Sequence, residues 1–147
     1  MIFVPISDEN STLRKPWITW FLILFCTVVF IWQLSLTPEQ ANLLITELGM
    51  TPNLLFQQAP VLESNRITPF WLTTVSCAFL HGSVWHLFSN MLFLWIFGDN
   101  IEDALGHLRF IGFYILCGII GTISHVFIFP ESDIPLIGAS GAVAGIL

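Results

Sequence analysis

Four stretches of this chain contain no Asp, Glu, Lys or Arg: residues 16–38 (23 residues), 67–98 (32), 110–130 (21) and 134–147 (14). A helix needs about 20 predominantly apolar residues to cross the hydrocarbon core of a bilayer, and inside that core every backbone N–H and C=O must be satisfied internally. The runs therefore point to an all-α, polytopic membrane helix bundle. Composition agrees, with 55% hydrophobic residues, 10% charged residues and a mean hydropathy of +0.82, all far from soluble averages.

Spanning helices are expected at about 17–36, 83–98 and 110–129, with a fourth over 139–147 that is incomplete. From Ser140 to Leu147 a helix rises only about 12 Å, against a core of about 30 Å. The first run exceeds the apolar core of a signal peptide and no small-x-small cleavage site follows it, so a retained helix is expected. Arg14 and Lys15 place the N-terminus in the cytoplasm, with Trp17, Trp20 and Trp32 as interfacial anchors. Residues 37–80 form an outer loop broken by Pro38, Pro52, Pro60 and Pro69. Its leucines suggest short helices lying in the interface. Ser83 is the expected N-cap of the second span. After Gly98, Asp99-Asn100-Ile101-Glu102-Asp103 reads as a cytoplasmic turn, with Asn100 capping a short connecting helix that ends near Gly106. Gly112, Gly118 and Gly121 on the third span, and Gly141 and Gly145 on the fourth, are small residues that let helices approach closely in lipid.

A net charge of −6 argues against nucleic acid as a partner. Cys26, Cys77 and Cys117 are far apart and mostly in apolar segments, which suggests small buried hydrophobes and neither a disulfide framework nor a metal cluster. His81 and His86, five apart, do not share a helical face and make a poor metal or haem pair. No cofactor is expected.

Polar groups at membrane depth are costly and call for a functional explanation. His86 and Asn90 are four apart on one face of the second span, and Asn90 lies about 10 Å below its start. His81 precedes its first turn. Ser140 sits in Gly138-Ala139-Ser140-Gly141, where flanking glycines let backbone approach a substrate, and it opens a helix whose first N–H groups lack partners. Both elements start from the same face, so the motifs can meet. The arrangement offers a nucleophile and donors for an oxyanion. Each residue also has a plainer explanation: Ser140 as a small packing residue, Asn90 as an interhelical hydrogen bond, and His107 and His125 as structural histidines without a paired partner.

The combination is more specific than its parts. His-x4-His-x3-Asn heading one span and Gly-x-Ser-Gly heading the next but one resemble the rhomboid family of intramembrane serine proteases, as do the connector over 97–110 and the stretch 137–145. The resemblance covers residues 79–147 closely. It implies a six-helix core, of which about three and a half helices are present, and a cleft open to water from the outer side. It also implies cleavage of transmembrane or membrane-adjacent peptide bonds through an acyl-enzyme. By motif, Ser140 is the nucleophile, His81, Asn90 and the Ser140 N–H form the oxyanion hole, and His86 supports the loop near the serine with Gly138 and Gly141. Partners are then transmembrane protein substrates within the lipid bilayer. The family's general-base histidine lies on a sixth helix and none of the four histidines matches it, so the isolated chain is expected to be the inactive N-terminal part of such a protease. Two other functions are weighed: a non-catalytic relative that binds transmembrane clients, and a channel or transporter subunit, which the lack of acidic residues within the spans disfavours.

Overall fold

The computed structural model describes residues 13–56 and 67–147. Residues 57–66 of the expected outer loop, Pro60 among them, lie outside the described residues. The elements are α1 (Trp17–Ser35), α2 (Pro38–Leu48), α3 (Pro52–Phe56), α4 (Phe70–Ser76), a 3-10 turn (Cys77–Phe79), α5 (Val84–Leu105), α6 (His107–Ile128) and α7 (Ser140–Ala144). The chain is a helical membrane bundle; among the described residues extended pairing is limited to one antiparallel bridge between Met50 and Leu136. By length and composition α1 and α6 are long and apolar enough to cross a membrane. α5 is as long as α6 but more polar at both ends.

Each long helix buries one stripe. On α1 it is Thr19, Leu22, Cys26 and Phe30, and on α6 it is Phe110, Tyr114, Gly118, Thr122 and Val126, in each case the three-to-four-residue spacing of one helical face. The opposite faces expose Leu24, Val28 and Ile31 on α1 and Leu116, Ile120 and Phe127 on α6, as a bilayer-facing surface requires. Because lipid is as apolar as leucine, helices in it are held by close packing of small residues. A Cβ on Gly98 would lie 3.1 Å from Thr19, where α1 meets α5, and a Cβ on Gly121 would lie 2.8 Å from the Gly141 Cα, where α6 meets α7. Gly118 faces Ala142 on the same seam, and Gly145 sits against Cys117. Gly112, expected at such a contact, faces open space instead.

The expected turn after Gly98 is absent: α5 continues without a break to Leu105, and Gly106, at φ +76°, makes the corner before α6 starts at His107. The acidic residues belong to the helix because they hold the start of α1 and the segment just before it. Glu102 accepts hydrogen bonds from the N–H groups of Ile18 and Thr19, and Asp103 accepts from those of Leu13 and Arg14. Charge here marks a helix-to-helix attachment, where the local sequence suggested a turn.

Two short helices precede the membrane face that carries the motifs. α2 starts at a capping box, with the Gln40 N–H donating to Thr37 Oγ1 and the Gln40 side chain accepting from the Thr37 N–H, and Pro38 stands at the first helical position. Its end leads into Met50, which exchanges both backbone hydrogen bonds with Leu136 at 3.1 and 2.8 Å. Asn53 adds two more ties, from its N–H to the Ser132 carbonyl and from Nδ2 to Asp133. The connection between α6 and α7 is thereby fixed to the α2–α3 corner before it reaches Ser140.

Candidate active site

Ser140 is the first residue of α7 and its side chain is exposed. What places it is the backbone just before it. The Gly138 N–H donates to the Cys77 carbonyl at 2.8 Å, so the 3-10 turn holds the Gly138 end of the connection while Met50 holds Leu136. Gly138 has φ +120°, a conformation that side chains rarely permit, and a Cβ there would lie 2.5 Å from Cε1 and Nε2 of His86. Glycine is required at this position twice over: by the turn, and by the imidazole lying against it. The N–H of Ser140, in the first turn, has no intrahelical partner.

His86 is positioned by the start of α5. Ser83 Oγ caps the helix by accepting from the His86 N–H at 3.1 Å, as its sequence position suggested. Asn90, one turn on, is 5% exposed and donates from Nδ2 to the His86 carbonyl at 3.0 Å, which leaves it one further amide hydrogen. His81 is enclosed. Its ring is 2% exposed, packs edge-on against His86 at 5.2 Å between centroids, and has no hydrogen-bond partner at either nitrogen among the described residues. Its backbone is clamped from α1, with the His81 N–H donating to Gln33 Oε1 at 3.1 Å and Gln33 Nε2 donating to the His81 carbonyl at 3.4 Å. The two histidines therefore sit in different surroundings. The loop residue is enclosed, and the helical one lies against Gly138, because the capped first turn of α5 presents His86 to the connection that carries Ser140.

Between α6, α7 and the 3-10 turn lies a cavity of about 130 Å³, bordered by Ser140, Gly138, Gly141, Thr122 and His125. The sequence reading had set His125 aside as structural, and Gln33 was not singled out. A signal for Gln33 existed, since it is the one amide side chain in the uncharged run of α1. For His125 the signal was its spacing: it continues the Gly118, Gly121, Thr122 stripe by one turn. Cys26 and Cys77 are buried and Cys117 is half-buried. Cys77 lies 3.5 Å from the Thr122 hydroxyl behind the cavity.

The model of the Rhomboid domain family matches residues 69–147, from the start of α4 through the cavity to the last residue. The chain belongs to the rhomboid family. Over 73 residues it is 33% identical to RHOMBOID-like protein 5 of Arabidopsis thaliana, a match that covers 50% of this chain and 24% of that protein. Over 95 residues it is 34% identical to the mitochondrial Rhomboid protein 1 of Saccharomyces cerevisiae, covering 62% and 27%. A third relative, Rhomboid protease GluP of Bacillus subtilis, is 39% identical over 77 residues, covering 52% and 15%. The chain thus spans less than a third of the length of each of these relatives. Within the rhomboid chain, the matched part contains the site residues discussed above except Met50 and Gln33, the latter reaching the site from α1.

Proposed function

We propose that this rhomboid chain carries the nucleophile and oxyanion-binding part of an intramembrane serine endopeptidase, acting on transmembrane or membrane-adjacent segments of protein substrates. The observation that carries the reading is Ser140 itself: an exposed hydroxyl bordering a cavity inside a membrane bundle, held by backbone ties on both of its preceding turns. In this reading Ser140 Oγ attacks the scissile carbonyl, its proton passes to a base, and the peptide amine leaves as the acyl-enzyme forms. Water then releases the acyl group.

The donors for the developing oxyanion are the Ser140 N–H, the His86 imidazole and the second amide hydrogen of Asn90. The contact of His86 with Gly138 supports its place in that set, and the burial of His81 supports a positioning role for His81. Arg14 and Lys15 at the opposite end of the bundle favour a cytoplasmic N-terminus, with Ser140 opening to the outer side. GluP's name as a protease supports the class of reaction.

The reading is tested by fluorophosphonate labelling of the full-length protein in native membranes, with the adduct mapped by mass spectrometry. Labelling at Ser140 is expected; labelling confined to other serines would overturn the assignment. This division of roles between the histidines predicts a separate result. His86→Ala is expected to lower kcat by about 10²–10³, the loss typical of one oxyanion donor, with little change in unfolding. His81→Ala is expected to show its main effect in stability, since it empties a buried site. The opposite pattern would restore His81 as the donor.

A further inference from the structure

α6 and α7 run antiparallel, because Gly118 meets Ala142 while Gly121 meets Gly141. Ser140 therefore lies beyond the Gly121–Gly141 contact, toward the level of Thr122 and His125. A helical side chain leans toward the N-terminus of its own helix, so the His125 imidazole tilts down toward Ser140 and not away from it. It borders the same cavity as the serine, and it is the one ionisable side chain among the residues that do. Phe129 covers one side of the ring at 4.9 Å. Among the described residues no hydrogen bond occupies either His125 nitrogen, and none joins it to Ser140.

The rest of the cavity is nearly featureless: glycines, Ala78, Leu136 and two hydroxyls. About 130 Å³ has room for a short side chain. A substrate residue placed there meets a single group able to discriminate by charge. The oxyanion donors lie on the α5 side of Ser140, whereas His125 lies on the α6 side, so the two tasks do not compete for one atom.

Resting on the reading of Ser140 as nucleophile, we propose that His125 is a specificity-determining residue that donates a hydrogen bond to a short acceptor side chain flanking the scissile bond, with preference for aspartate. A hydrogen bond to an ionised acceptor is roughly twice as strong as one between neutral groups. A carboxylate is therefore preferred over the isosteric amide. The other titratable groups on the elements around α6 at this end do not border the cavity. Cys77 is engaged with Thr122, Asp133 with Asn53, His86 lies against Gly138, and Glu131 is in the exposed connection.

The test uses full-length protein carrying Ser140→Ala, so that binding is read without hydrolysis. Fluorescent transmembrane peptides with Asp or the isosteric Asn on either side of the bond are titrated in vesicles. The Asp peptide is expected to bind about tenfold more tightly than the Asn peptide, as one charge-assisted bond allows. Adding His125→Leu is expected to abolish the difference, whereas His125→Gln, which still donates, keeps part of it. An Asp-to-Asn ratio unaffected by His125→Leu, or no binding of either peptide, overturns the proposal. Cleavage by the Ser140 parent is measured separately, so a failure of the nucleophile assignment is distinguished from a failure of selection.

Discussion

Replacing Ser140 with alanine in the full-length protein is expected to reduce cleavage of a transmembrane substrate by about 10⁶-fold, the loss seen when the nucleophile of a serine protease is removed. The same substitution should leave the fold intact. The Ser140 side chain is exposed, and its hydroxyl makes no hydrogen bond among the described residues, so alanine strands no partner and opens no buried void. Unfolding should shift by no more than about 0.5 kcal/mol, as for surface substitutions generally. The pair of measurements carries the argument: proteolysis in proteoliposomes falls to background while the unfolding transition stays in place. A Ser140→Ala protein that retains about a tenth of its activity would remove this serine from the chemistry. So would a loss of activity matched by a loss of structure, since that would make Ser140 a packing residue like Gly141.

The comparison of sequence with structure separates two kinds of information. The long helices were legible because lipid imposes one rule, about 20 uncharged residues, and residues 17–35 and, beyond Arg109, 110–128 obey it closely. The caps were legible where the cap and its helix are neighbours, as at Ser83. What misled was charge used at a distance. Glu102 and Asp103 look like turn residues in their own stretch, and only their partners at Leu13, Arg14, Ile18 and Thr19 show why α5 keeps them helical. The site follows the same division. The motifs singled out His81, His86, Asn90 and Ser140, yet the different surroundings of His81 and His86 depend on the Gln33 clamp and on the turn at Gly138, and neither is a local property. His125 was missed because a lone histidine on a spanning helix has no sequence partner; its neighbour in the cavity lies across a helix seam.

Glu102→Ala is expected to cost about 3–5 kcal/mol, the penalty for breaking a buried charged network from one side. The Glu102 carboxylate is fully buried. It accepts from the Ile18 N–H at 2.9 Å, from the Thr19 N–H at 2.8 Å and from the Thr19 hydroxyl at 2.8 Å, and His107 Nδ1 lies 2.5 Å from its other side. Ile18 and Thr19 are in the first turn of α1, where N–H groups have no intrahelical acceptor and a negative charge is favoured. Thr19 is 1% exposed against Gly98, so water cannot take the carboxylate's place. Glu102→Gln keeps one acceptor oxygen but turns an NH₂ toward a donor, and its cost should fall between wild type and alanine. Asp103→Asn, at a half-buried side chain capping exposed N–H groups, should cost under about 1 kcal/mol. Unfolding in mixed micelles reads all three, and a Glu102→Ala transition coincident with wild type would show that α1 is held by packing alone. The consequence reaches the site because α1 is fastened at both ends. Glu102 holds its first turn, and near its last turn Gln33 holds the backbone of His81, against which His86 packs. Loosening the first attachment is therefore expected to lower fluorophosphonate labelling of Ser140 as well, whereas the Asp103 variant should label like wild type.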